Sequence, residues 1–132
     1  MVISNIKVLL SYNVKEVWEL VTDIENYKWR SDIDKIEIID EVKFVEYTKD
    51  NYRTDFCVKE KTPYKCWKFG LENDNLKGEW VGLFIEKGDE TMIDFTESIV
   101  RKKPVPKILL KLYLKKQQKL YLRDLNKELK KR

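Results

Sequence analysis

The stretch that decides the fold is residues 64–100, YKCWKFGLENDNLKGEWVGLFIEKGDETMIDFTESIV. It breaks at Asp74-Asn75 and again at Gly88-Asp89 into runs rich in β-branched and aromatic residues, the composition of strands. Two-residue turns of this kind join antiparallel neighbours, and they set the register. Around Asp74-Asn75, Glu72 faces Lys77 and Phe69 faces Trp80. Around Gly88-Asp89, Lys87 faces Glu90 and Phe84 faces Ile93. A third hairpin is read around Lys61-Thr62, with Cys57 opposite Cys66 and Asp55 opposite Lys68. Side chains alternate along a strand. All three registers therefore agree on one apolar face, made of Phe56, Val58, Trp67, Phe69, Trp80, Phe84, Ile93, Phe95 and Ile99. A single carboxylate, Glu97, falls among them, and Gly82 lies in the row between Trp67 and Phe95. A glycine flanked by large rings leaves room for the rings, or for something bound between them. The face is either an ordinary core or one wall of a ligand cavity.

The opposite face carries Asp55, Lys59, Lys68, Glu79, Asp94 and Thr96, as a wet face should. It also carries Val81, Leu83, Ile85 and Met92. Such a patch points to a contact surface, such as a homodimer interface. A misregistered hairpin or cover from a loop is the alternative.

Working outward, residues 2–10 alternate as a strand, and strands are expected at about 35–41, 43–49 and 52–60. Asn13 starts a helix, with Glu16 three residues on as in a capping box. Val14, Val17, Trp18 and Val21 form its apolar stripe. A second short helix is expected over 25–33, carrying Tyr27 and Trp29. Pro104 and Pro106 stop the last strand, and a helix runs from about 105 to 130. Its stripe changes side: Val105, Ile108, Leu109 and Leu112 share one face, whereas Leu114, Tyr121, Leu125 and Leu129 share nearly the opposite one. A straight helix cannot turn both to one surface. The pattern predicts a kink near 113–118 or two partners, with 105–113 closing the sheet.

The length, 132 residues, fits one domain with a real core, and no apolar run approaches a membrane span. The N-terminus MVISNIKVLL lacks the basic region and cleavage site of a signal peptide. Two cysteines without zinc-type spacing then read as reduced thiols, and the expected location is cytoplasmic. Histidine is absent. That removes the commonest general base, the Ser/Cys–His nucleophile pairs and the commonest metal ligand. The carboxylates are scattered, so neither a metal site nor a cofactor is expected. Residues 101–132 hold 13 Lys/Arg and 2 acids (+11), whereas residues 1–100 hold 14 Lys/Arg and 21 acids (−7), which together give +4. The basic tail reads as a solvated helix face drawn to its own acidic sheet. An interaction module for protein or RNA is the rival reading, ranked last because no aromatic–basic interleaving appears there.

Val17-Trp18, the run Asp23-Ile24-Glu25-Asn26-Tyr27-Lys28-Trp29, Gly78-Glu79-Trp80, and Thr91-Met92-Ile93 with Thr96-Glu97 carry a resemblance. The chain resembles the START-like, helix-grip (SRPBCC) superfamily, which includes polyketide cyclase/dehydrase-like and lipid-transfer proteins. The resemblance implies an α+β fold: a seven-stranded antiparallel sheet wrapped around a long C-terminal helix, with two short helices after the first strand. It also implies a cavity between sheet and helix. Members bind lipids, sterols, polyketides, hormones or quinones, some are cyclases, and some act on co-chaperones. This chain lacks the histidines that some enzymatic members use.

The expected function is therefore binding or transport of a small apolar or amphipathic ligand. Its site is expected at Trp29, Phe56, Trp67, Phe69, Trp80, Gly82, Phe84, Phe95 and Glu97, closed by Leu109, Leu112 and Tyr113. Desolvation would raise the Glu97 pKa. That makes Glu97 the candidate for a cyclase- or aromatase-like alternative, working with a tyrosine, or else a polar anchor for the ligand.

Overall fold

A computed structural model describes residues 1–132. Seven strands are formed by Val2–Leu10 (β1), Ile33–Ile38 (β2), Lys43–Thr48 (β3), Arg53–Thr62 (β4), Cys66–Glu72 (β5), Leu76–Lys87 (β6) and Glu90–Arg101 (β7). The helices are Val14–Thr22 (α1) and Lys107–Lys131 (α2). The strands make one antiparallel sheet in the order β1-β7-β6-β5-β4-β3-β2. Six strands form a meander, and β1 joins its far side. Residues 11–32 must therefore cross the whole sheet from one edge to the other.

Asn13 caps α1, its Oδ1 accepting from the Glu16 N–H at 2.9 Å. Val14, Val17, Trp18 and Val21 are buried, as the stripe requires, and Trp18 meets Phe84 edge-on at 4.9 Å. The second short helix expected over 25–33 does not form. Those residues pass through short turns at 24–25, 28–29 and 31–32 and then enter β2. The chain there is held by side chains instead: Asp124 of α2 accepts from the Ser31 N–H and hydroxyl, both at 2.8 Å.

The β5–β6 and β6–β7 registers are as read, with Phe69 opposite Trp80 and Phe84 opposite Ile93. The β4–β5 register is not. Val58 faces Phe69, Cys57 faces Gly70 and Cys66 faces Thr62, so the two free cysteines do not meet. Asp55 faces Glu72 rather than Lys68. The turn lies two residues later, at Pro63-Tyr64, with Tyr64 at φ 65° and the Lys65 N–H donating to the Thr62 carbonyl. A bulge at Lys59 absorbs one more residue. Before the bulge the register differs by an even number of residues. The apolar face therefore survives the error.

The helix α2 runs unbroken from Lys107 to Lys131, without the expected kink. Its second stripe meets the sheet: Leu114, Leu125 and Leu129 are buried, with Leu110 and Gln118. The first stripe does not. Val105, Ile108, Leu109, Leu112 and Tyr113 are all exposed, which overturns the expectation that 105–113 does the closing. The physical reason is polar. Ser4 Oγ on β1 donates to Gln118 Oε1 at 2.8 Å, and Gln118 Nε2 donates back to the Ser4 carbonyl at 3.0 Å. That pair is buried, and it fixes which side of α2 faces the sheet. The other sheet face leaves Leu83 and Ile85 exposed, with Val81 and Met92 partly so, and no loop or helix covers them.

Candidate functional site

Because α2 leans on β1, it leaves the β3–β5 side of the sheet uncovered. A cavity of about 820 Å³ opens there, bounded by β3–β7, the start of β2 and the middle of α2. That exceeds the roughly 300 Å³ at which small-molecule sites begin. Phe56, Phe69, Trp80, Phe95 and Tyr113 line it, with Leu71, Leu122 and Tyr121. Phe69 and Trp80 stack at 4.8 Å with planes 8° apart, and Trp80 meets Phe95 at 4.7 Å. Cross-strand pairing explains this wall. Val58, Phe69, Trp80, Glu97 and Ser4 occupy one row across β4, β5, β6, β7 and β1.

Glu97 lines the cavity beside these rings. No side chain hydrogen-bonds or ion-pairs with it. Desolvation pushes its pKa up to about 7. Arg30, which also lines the cavity, is committed elsewhere, to Glu46 at 2.7 Å and Asp32 at 3.5 Å. Burial alone would lower the Arg30 pKa, but these two carboxylates outweigh it and hold the guanidinium firmly charged. The same guanidinium lies over the Tyr121 ring, 5.2 Å from its centre. Burial raises the Tyr121 phenol well above its ordinary range. The Tyr113 phenol is raised too, by burial first and then by the nearby Glu97. Two buried donors that line the cavity, Arg30 Nε and the Tyr52 hydroxyl, have no hydrogen-bond partner in the protein.

The expected site residues thus divide. Phe56, Phe69, Trp80, Phe95, Glu97 and Tyr113 border the cavity. Trp29 and Trp67 border a separate void of about 50 Å³, too small for an organic ligand, and Trp29 packs edge-on against Tyr121 at 5.3 Å. Phe84 is core, wedged between Trp18 and Phe95. Leu109 and Leu112 point into solvent from the outer side of α2. The room above Gly82 is taken: a Cβ there would stand 2.4 Å from the Trp80 ring. The glycine holds an indole, not a ligand. Sequence reasoning missed Tyr52, Glu46, Asp32 and Tyr121 as cavity residues. Tyr52, Glu46 and Asp32 gave little signal and are brought in by tertiary placement, whereas Tyr121 stood on the second stripe of α2, the one that turns to the sheet.

No family model matches the sequence, and no curated protein sequence matches it. Solved structures do. A START superfamily protein from Mycobacterium smegmatis superposes at TM-score 0.88 and 16% identity, covering 98% of this chain and 97% of that one. A conserved protein from Geobacillus kaustophilus gives TM-score 0.88 at 18% identity, over 98% and 96%. The ZhuI aromatase/cyclase from Streptomyces sp. R1128 gives TM-score 0.83 at 12% identity, over 98% and 94%. At these identities the likeness concerns the fold: the chain has the START-like helix-grip fold. No helix is long and apolar enough to cross a membrane.

Proposed function

We propose that this protein binds a small amphipathic molecule, a lipid, polyketide or aromatic compound, in the cavity between sheet and α2. One observation carries the reading. A cavity of about 820 Å³ combines an aromatic wall with three unpartnered polar groups: the Glu97 carboxylate, the Tyr52 hydroxyl and Arg30 Nε. Buried polar groups normally find partners. Here a ligand with its own donors and acceptors supplies them, while the rings of Phe56, Phe69, Trp80 and Phe95 take its apolar body. Such a mix of apolar lining and a few polar points is what ligand sites need. Titration with an environment-sensitive anilinonaphthalene dye tests it. Saturable one-to-one binding is expected, weakened about tenfold by Leu71→Trp, which pushes an indole into the cavity. Equal binding by both proteins, each folded by circular dichroism, overturns the reading.

A second reading has one specific observation behind it. A carboxylic acid with a pKa of about 7 is poised for proton transfer near neutral pH. One structural neighbour is an aromatase/cyclase. In a cyclisation, Glu97 would move a proton at the substrate while Tyr113 donated a hydrogen bond. Turnover of a poly-β-ketone surrogate that Glu97→Gln abolishes would favour this reading over simple binding. The exposed patch of Val81, Leu83, Ile85 and Met92 supports self-association as a separate proposal, read by sedimentation velocity across a range of concentrations.

A further inference from the structure

The first stripe of α2 has no partner in the fold. Ile108 is 70% exposed, Leu112 63% and Leu109 55%, and Val105 lies just before them, also exposed. These are four aliphatic side chains within two turns and the segment that leads into them. A soluble surface gains nothing from such a cluster. Its surroundings are chemically uniform. Residues 101–123 contain nine Lys/Arg and no acid. Lys102 is tied to Glu72, and Arg101 donates to the Val105 carbonyl. Lys116 and Lys119, which continue the side of α2 that carries Leu109 and Leu112, have no ion-pair partner, and neither has Lys103 just before the helix. The first turn of α2 has neither an acidic residue nor a side-chain cap, so the positive end of its dipole is uncompensated as well.

We propose that this side of α2, with Lys103 before it and Lys116 and Lys119 beyond Leu112, is a docking surface for an anionic lipid bilayer. Aliphatic side chains with lysines at either end of their stripe suit the boundary between acyl chains and acidic headgroups. The aliphatics enter the hydrocarbon edge, and the ammonium groups pair with phosphates. A nucleic acid would use the lysines but offers no use for aliphatic side chains, since bases stack on rings. A second copy meeting this face symmetrically would oppose two basic helices. Docking also places the cavity sensibly. Tyr113, Leu114 and Gln117, on the next turn of the same helix, border the cavity. The surface that touches the bilayer is continuous with the edge of the site. The proposal does not depend on what the cavity binds, or on whether it binds anything.

Co-sedimentation with lipid vesicles tests it, using the full chain. Binding is expected to vesicles in which a third of the phosphatidylcholine is replaced by phosphatidylglycerol, and not to phosphatidylcholine alone. Ile108→Ser, Leu109→Ser and Leu112→Ser together should weaken that binding by about tenfold or more. Lys103→Gln, Lys116→Gln and Lys119→Gln together should weaken it too and flatten its dependence on salt. All six positions are exposed, so the melting curves of both variants should match the parent. Failure of the parent to sediment with the acidic vesicles overturns the proposal. So does undiminished binding by the serine variant, which would mean attraction by charge alone. A dimer in lipid-free solution that the serine substitutions dissociate would assign the face to a second copy.

Discussion

Gly82→Ala is the smallest change that reaches both the core and the cavity. The added methyl would stand 2.4 and 2.6 Å from two carbons of the Trp80 ring and 3.2 Å from Phe95. The first distance is about 1 Å short of ordinary contact, which begins at 3.4 Å. Trp80 cannot yield sideways, because it stacks on Phe69, meets Trp67 at 5.7 Å and meets Phe95 at 4.7 Å. Its free direction is into the cavity. Overpacking of this kind costs about 1–3 kcal/mol, and for a chain of this size that lowers the melting temperature by roughly 4 to 12 °C. The control is Trp80→Leu, which removes the ring that the methyl strikes. In that background Gly82→Ala should cost under about 0.5 kcal/mol, and it could even stabilise, since alanine outperforms glycine within a strand. The assay is urea denaturation of the four proteins of the cycle, followed by circular dichroism. A Gly82→Ala cost that is negligible, or the same with and without the Trp80 ring, would show that the glycine does not exist to seat the indole.

Glu97→Gln should change how stability depends on pH. The folded pKa of about 7 stands above the ordinary 4.5, so the folded state favours the protonated form. Stability from this group is fully present below pH 4.5 and is lost as pH rises through 7, by up to about 3 kcal/mol. Glutamine should remove that decline in denaturation curves taken at pH 4.5, 6 and 8, and an unchanged slope would place the carboxylate in water. Leu125→Ala should cost about 2–5 kcal/mol, because Leu125 is fully buried, whereas Leu109→Ala should cost under about 0.5 kcal/mol. Similar losses at both positions would mean that the first stripe of α2 also packs on the sheet. Arg30→Met strands Glu46 and Asp32 beside the cavity and should cost about 3 kcal/mol by the same assay. A neutral result would mark the pair as solvated.

The legible parts of the fold were those set by short-range rules. The β5–β6–β7 meander could be registered because its turns are tight and Gly88, at φ 63°, fits the second. The Cys57–Cys66 pairing failed because Tyr64 takes a left-handed conformation that no sequence rule demands, and because Lys59 bulges. Yet the aromatic face was right, since an even slip does not turn a strand over. The helix at 25–33 failed for a tertiary reason: Arg30 and Ser31 are pulled to Glu46 and Asp124. Hydrophobic periodicity could show that α2 has two stripes but not which one meets the sheet. The deciding group is Gln118, a buried amide that an apolar count passes over. The same gap explains the site. The rings of its wall were legible from alternation, whereas Tyr52 and Asp32 lie just outside the strands and Glu46 is set there by its pairing with Arg30. Gly82 was correctly marked as a place of close approach, but what approaches is Trp80.

Native mass spectrometry of the protein purified from its native host asks most directly whether the cavity holds a ligand. Binding there requires a stoichiometric small-molecule adduct that organic extraction removes and that Leu71→Trp fails to retain. An adduct that Leu71→Trp retains undiminished would contradict it, and so would a bare polypeptide mass in a protein that also takes up no lipophilic probe.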